Sequence, residues 1–156
     1  MRKIKVLSLA LLMAVICAPA FAQQALKPDG YAVITSIQGT AEVKVGKKEW
    51  VAAKPGMLVN QGETIRTKGS TWVQLDFYAG KKKRIASVEI KQNSQLRIAQ
   101  LEPSQGILLD LALGEVLVRS EKLNGGKAKF EVKTPTSLVE VAGKAAFSVA
   151  VEKLEQ

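Results

Sequence analysis

Trp72-Val73-Gln74-Leu75-Asp76-Phe77-Tyr78 alternates with a period of two, so Val73, Leu75 and Phe77 share one side of an extended chain and Gln74 and Asp76 the other. An amphipathic helix needs apolar residues three and four apart, and this run does not supply them. The same beat returns at Val43 and Val45 around Lys44, at Leu96 and Ile98 around Arg97, and at Phe130 and Val132 around Glu131. It returns again along Phe147, Val149 and Val151. Turn residues stand between the runs: Pro28-Asp29-Gly30, Pro55-Gly56, Asn60-Gln61-Gly62, Ala79-Gly80 and Asn124-Gly125-Gly126. Asn124-Gly125 lies between Glu115–Ser120 and Lys129–Lys133, which predicts a hairpin there. Ser94 to Leu101 comes nearest to a helical stripe, yet it also alternates, at Leu96 and Ile98. The expected fold class is therefore all-β. It is a single compact domain of about ten to twelve short strands, either a β-solenoid or roll, or sandwich-like.

Ahead of the strands, Arg2, Lys3 and Lys5 precede an apolar run from Val6 to Cys17, which is followed by Ala20-Phe21-Ala22. This charged, apolar, then small-x-small order is that of a cleavable export signal, with cleavage expected after Ala22 and the periplasm as destination. Two alternatives exist. An uncleaved anchor would need roughly 20 apolar residues to span a bilayer, more than this run provides. Lipidation at Cys17 would normally follow a small residue, and Ile16 precedes it here. The expected organisation is a signal peptide over 1–22, a flexible leader over 23–29, the all-β domain over 30–152 and a tail over 153–156. No transmembrane helix is expected after cleavage.

The leader holds three of the 23 Lys and Arg and none of the 14 Asp and Glu, so cleavage lowers the net charge from +9 to +6. Cytoplasmic proteins with such a surplus often bind nucleic acid. An exported one meets other polyanions, namely cell-wall polymers, lipid head groups and acidic proteins, so nucleic acid is not an expected partner. The single Cys leaves with the leader, and no disulfide is expected in the mature chain.

The inventory for catalysis is thin. His is absent from the sequence and Cys from the mature chain, which removes Ser-His and Cys-His nucleophiles and the usual zinc ligand sets. Glu42, Asp76, Glu89, Glu131 and Glu140 alternate with apolar neighbours, which predicts the solvent side for each; no spacing singles out a pair for acid–base work. Gly143-Lys144 and Gly125-Gly126-Lys127 lack the upstream Gly and the following Ser or Thr of a phosphate loop. No catalytic residue, cofactor site or metal site is expected, and the protein is not expected to be an enzyme.

Two features suggest binding. Lys81-Lys82-Lys83-Arg84 follows Gly80 at a strand end, so a turn presents four cations together. Trp72 and Tyr78 share the face opposite Val73, Leu75 and Phe77, where large rings can anchor a sugar or a protein. These six residues are the candidate partner-binding set. Trp50 is expected in the core.

Taken in order, several segments resemble the FecR-like domain of bacterial envelope proteins. They are Gly39-Thr40-Ala41-Glu42-Val43 with Trp50; Gly62-Glu63-Thr64-Ile65-Arg66-Thr67; Val73 to Phe77 leading to Gly80; and Gln92-Asn93-Ser94-Gln95-Leu96. Leu111 to Gly114-Glu115-Val116 and Phe130-Glu131-Val132-Lys133-Thr134-Pro135-Thr136 complete the set. The family usually continues into Val-Arg-Gly-Thr-x-Phe, where this chain has Val141-Ala142-Gly143-Lys144-Ala145-Ala146-Phe147. Ala142 replaces the Arg, Lys144 replaces the Thr, and one residue is added before Phe147, while Gly143 and Phe147 can keep backbone and core roles. The resemblance implies an envelope location. Family members that regulate sigma factors carry a cytoplasmic segment and a membrane helix before this domain; the sequence shows neither, so direct sigma-factor control is not expected. The expected function is a periplasmic, non-catalytic protein-interaction module whose partner is another envelope protein. The alternative is binding of peptidoglycan or another anionic cell-wall polymer through the exposed aromatics and the basic loop.

Overall fold

The computed structural model describes residues 30–47, 49–121, 123 and 128–153. The leader over 1–22, the segment 23–29, the turn residues Asn124 to Lys127 and the end of the tail lie outside these residues. The described residues form twelve strands: β1 (Gly30–Gln38), β2 (Ala41–Lys44), β3 (Trp50–Ala52), β4 (Leu58–Val59), β5 (Thr64–Thr67), β6 (Trp72–Ala79), β7 (Lys83–Ile90), β8 (Gln95–Glu102), β9 (Gly106–Ser120), β10 (Lys129–Lys133), β11 (Leu138–Val141) and β12 (Ala145–Val151). They make one curled, largely antiparallel sheet in the order β3-β2-β5-β8-β9-β7-β6-β1-β4, with β10 and β12 on β9 and β11 on β10. Among the described residues no helix is long and apolar enough to cross a membrane.

The alternation read from the sequence becomes the core. Val73, Leu75 and Phe77 of β6 are fully buried, as are Leu96 and Ile98 of β8 and Phe130 and Val132 of β10. Because the sheet curls, rings from distant strands meet: Phe77 and Phe130 pack edge to face with centroids 6.0 Å apart. Two bulges adjust the beat. The extra residue Thr35 interrupts the β1–β6 register between Ile34 and Ser36, and the extra residue Ile85 interrupts β6–β7 next to Tyr78. The second bulge turns both Ile85 and Ala86 inward.

β9 organises the curl. Its first half pairs with β8 and β10 and its second half with β7 and β12. Between the halves Gly114 adopts φ +91°, and a Cβ there would lie 2.1 Å from Ser94 Oγ and 2.5 Å from Ser94 Cα. Only glycine fits this crossing. Ser94 Oγ in turn accepts the Glu115 N–H at 3.0 Å.

The hairpin expected at Asn124-Gly125 is not the arrangement found. β10 runs parallel to β9 with Lys129 opposite Gly106 and Lys133 opposite Asp110, while Glu115–Ser120 pairs with β7 and β12. The parallel pairing constrains β9 through chain reach. A straight β9 would span about 48 Å at ~3.4 Å per residue, and the nine steps from Ser120 to Lys129 reach at most about 32 Å. β9 must therefore bend for β10 to begin beside Gly106, and Gly114 supplies the bend.

Two further expectations are corrected. Asp76 faces outward, as its position in the alternation predicts, but is only 6% exposed, because neighbouring outer-face side chains cover it. Trp50 is not in the core. It lies half-buried on the outer face opposite Lys44, since β3 is an edge strand with no layer beyond it.

Candidate binding surfaces

The β6–β7 turn carries the basic run, and its geometry is fixed from the flanking strands. Gly80 takes φ +58° to reverse the chain. Tyr31 of β1 lies opposite Tyr78 of β6, and their rings stack with centroids 5.1 Å apart and planes 11° from parallel. The Tyr31 hydroxyl donates to the Lys81 carbonyl at 3.4 Å, which ties the turn to the ring stack. Across β6, Arg84 faces Tyr78 and places a guanidinium nitrogen 3.6 Å from Asp76 Oδ2. Gln74 donates to the other Asp76 oxygen at 3.1 Å. Arg84 thus neutralises a nearly buried carboxylate, whereas Lys81 and Lys82 project from the turn with exposed side chains.

Trp72 does not belong to this group. It stands six residues along β6 from Tyr78, about 20 Å away at ~3.3 Å per residue. There it is half-buried, and its Nε1 donates to Gln38 Oε1. A shallow hollow of about 360 Å³ surrounds it, lined also by Ser70, Thr71, Lys91, Gln92 and Glu115. The six candidate residues therefore divide between the two ends of the sheet. Strand parity puts Trp72 and Tyr78 on one face, but strand length keeps them apart.

Two clusters went unnoticed in the sequence because cross-strand register assembles them. On the outer face of β2, β3 and β5, the Arg66 guanidinium lies 3.9 Å from the Trp50 ring centroid and the Lys44 ammonium 5.8 Å from it. Arg66 Nε donates to Glu42 Oε2 at 2.6 Å, and Lys68 approaches the same oxygen at 3.4 Å. The hydrogen bond from Arg66 holds the Glu42 carboxyl below the usual carboxylate range.

In the second cluster, Glu131 of β10 sits directly opposite Glu140 of β11. Thr134 fixes this register, since its Oγ1 accepts the Ser137 N–H at 2.9 Å and its own N–H donates to the Ser137 carbonyl at 2.8 Å. Burial and then the adjacent Glu140 push the Glu131 carboxyl up, while a 2.7 Å hydrogen bond from Lys129 pulls Glu140 down. Opposed shifts of this kind are what acid–base pairs need. A glycosidase pair, however, flanks a gap of about 5 Å or more that admits a sugar, whereas Glu131 and Glu140 are direct cross-strand neighbours on one sheet face.

No family model, curated protein or solved structure matches this chain. The surfaces must therefore be read from their own chemistry. Gly143 accepts a hydrogen bond from Ser120 Oγ at 2.8 Å, and Phe147 packs half-buried against the core.

Proposed function

We propose that this chain is a periplasmic, non-catalytic protein-interaction module of the cell envelope, with a FecR-like domain as its body and a cleavable leader over residues 1–22. The sheet is taken to close as a roll, a reading that the Phe77–Phe130 contact across its interior supports. The docking surface is the β6–β7 turn with the Tyr31–Tyr78 stack beside it, and the partner is an acidic segment of another envelope protein. The observation that carries this reading is the hydrogen bond from Tyr31 to the turn backbone. The contact sets the turn backbone beside the ring stack, so Lys81 and Lys82 are presented next to an aromatic base.

The cell-wall-polymer alternative combined Trp72 with the basic run. They lie about 20 Å apart along β6, so they do not form one compact subsite.

A photo-reactive residue at the exposed position 83, beside the two lysines, activated in living cells, tests the proposal. A discrete protein adduct is expected. It should weaken as salt rises, because exposed charges are screened over about 8 Å at physiological ionic strength. It should also disappear when Lys81 and Lys82 become Gln. Arg84 is left unchanged in this variant, since its removal would strand the Asp76 carboxylate. Absence of a protein adduct, together with salt-sensitive sedimentation on purified peptidoglycan that the same Gln variant abolishes, overturns the proposal in favour of the polymer.

A further inference from the structure

Sheet edges expose unpaired N–H and C=O groups, and proteins commonly protect them with short strands, charges, prolines or bulges. Three edges of this sheet are protected. β3 and β4 have three and two residues, and the four-residue β11 carries Glu140, paired with Lys129. β12 differs. Among the described residues it pairs only with β9, without a register break from Ala145 to Val151, and its seven residues Ala-Ala-Phe-Ser-Val-Ala-Val contain no charge, proline or glycine. Ala146, Ser148 and Ala150 form an exposed row of small side chains on its outer face. On its inner face Ala145, Phe147 and Val151 are only half-buried.

We infer that β12 is a self-association edge, at which a second copy of this chain adds antiparallel about a two-fold axis through Ser148. This register pairs all seven residues, setting Phe147 against Val149 of the other copy, Ala145 against Val151, and Ala146 against Ala150. Inner-face residues meet inner-face residues, so the half-buried row is extended and covered. The same register places Lys144 opposite Glu152 of the other copy, and symmetry makes this pair twice. Lys144 is 81% exposed and makes only a long ion pair, 4.0 Å to Glu121, among the described residues. One row further in, Arg119 lies beside Ala146 and Glu115 beside Ala150, so the two-fold also faces opposite charges along the outer surface. Shifting the axis by two residues in either direction leaves part of β12 unpaired and breaks the Lys144–Glu152 match.

An isologous edge of this kind gives a closed dimer rather than a fibre, because it uses up the edge of both copies. Seven residue pairs bury less than the roughly 1,000 Å² typical of stable complexes, so the dimer is weak and concentration-dependent. This surface lies apart from the β6–β7 turn and does not depend on the docking role proposed for it.

Protein purified from cells expressing the full coding sequence tests the inference by sedimentation equilibrium, from about 10 μM to about 1 mM. A reversible monomer–dimer equilibrium is expected. Ser148→Lys sets two ammonium groups face to face on the axis and should weaken dimerisation at least about tenfold. Its circular dichroism should be unchanged, since position 148 is exposed. Lys144→Glu should weaken it similarly, and the double swap Lys144→Glu/Glu152→Lys should restore it to within about threefold. Ser148→Cys should oxidise to a disulfide-linked dimer, because directly opposite Cα atoms about 4.5–5.5 Å apart match disulfide geometry. Ala142→Cys should not. A monomer throughout the concentration range, a dimer indifferent to Ser148→Lys, or failure of the double swap to restore association overturns the inference.

Discussion

Replacing Gly114 by Ala tests the claim that β9 must bend at that residue. An L-residue forced into the left-handed region costs about 1–2 kcal/mol. The added Cβ would also lie 2.5 Å from Ser94 Cα, a backbone atom just before β8 that cannot rotate away. Crowding of this kind typically costs about 1–3 kcal/mol. If Ser94 turns its Oγ aside, the Glu115 N–H loses its acceptor, worth about 1–3 kcal/mol more. A total of roughly 3–8 kcal/mol is a large share of the 5–15 kcal/mol usual for a domain. With a urea dependence of about 2 kcal/mol/M, the unfolding midpoint followed by Trp fluorescence should fall by about 1.5–4 M. Gly56→Ala is the control. Gly56 has φ +86° but no atom within 4 Å of where a methyl would sit, so only the conformational cost of about 1–2 kcal/mol applies. Equal midpoints for the two variants would refute the crowding argument, and an unchanged midpoint for Gly114→Ala would refute the bend itself.

Phe77→Ala and Phe130→Ala should each destabilise by about 3–5 kcal/mol, and their double-mutant cycle should show a coupling of about 0.5–1.5 kcal/mol; a coupling near zero would mean that β6 and β10 do not meet across the core. Glu131 has a raised folded pKa, so it binds its proton more readily in the native state, and its unfavourable contribution grows as pH rises through the carboxylate range. Glu131→Gln should therefore raise the neutral-pH melting temperature, and the gain should vanish in thermal melts taken at acidic pH, where Glu131 is protonated in both folded and unfolded chains; a gain independent of pH would show that the cost of holding a partly buried charge beside Glu140 is not its cause.

The alternation in Trp72 to Tyr78 and its repeats determined the fold class and most of the buried set, because side-chain direction in a strand depends only on parity along the chain. That is why Val73, Leu75, Phe77, Phe130 and Val132 were legible as core from the sequence. Parity is silent on which strands are neighbours. The hairpin expectation failed for this reason: parallel and antiparallel partners of β9 have the same alternation, and the bend at Gly114 decided between them. Trp50 was misplaced because its burial depends on β3 having no strand beyond it, which is a property of the sheet. The basic run was visible as a charge block, but its anchoring by Tyr31 joins residues 50 positions apart. Glu131 and Glu140 became a pair through the register of β10 and β11. The lack of charge in β12 can be read in the sequence, whereas only the tertiary structure made that strand an edge, since hydrogen-bonding neighbours are assigned when the whole sheet assembles.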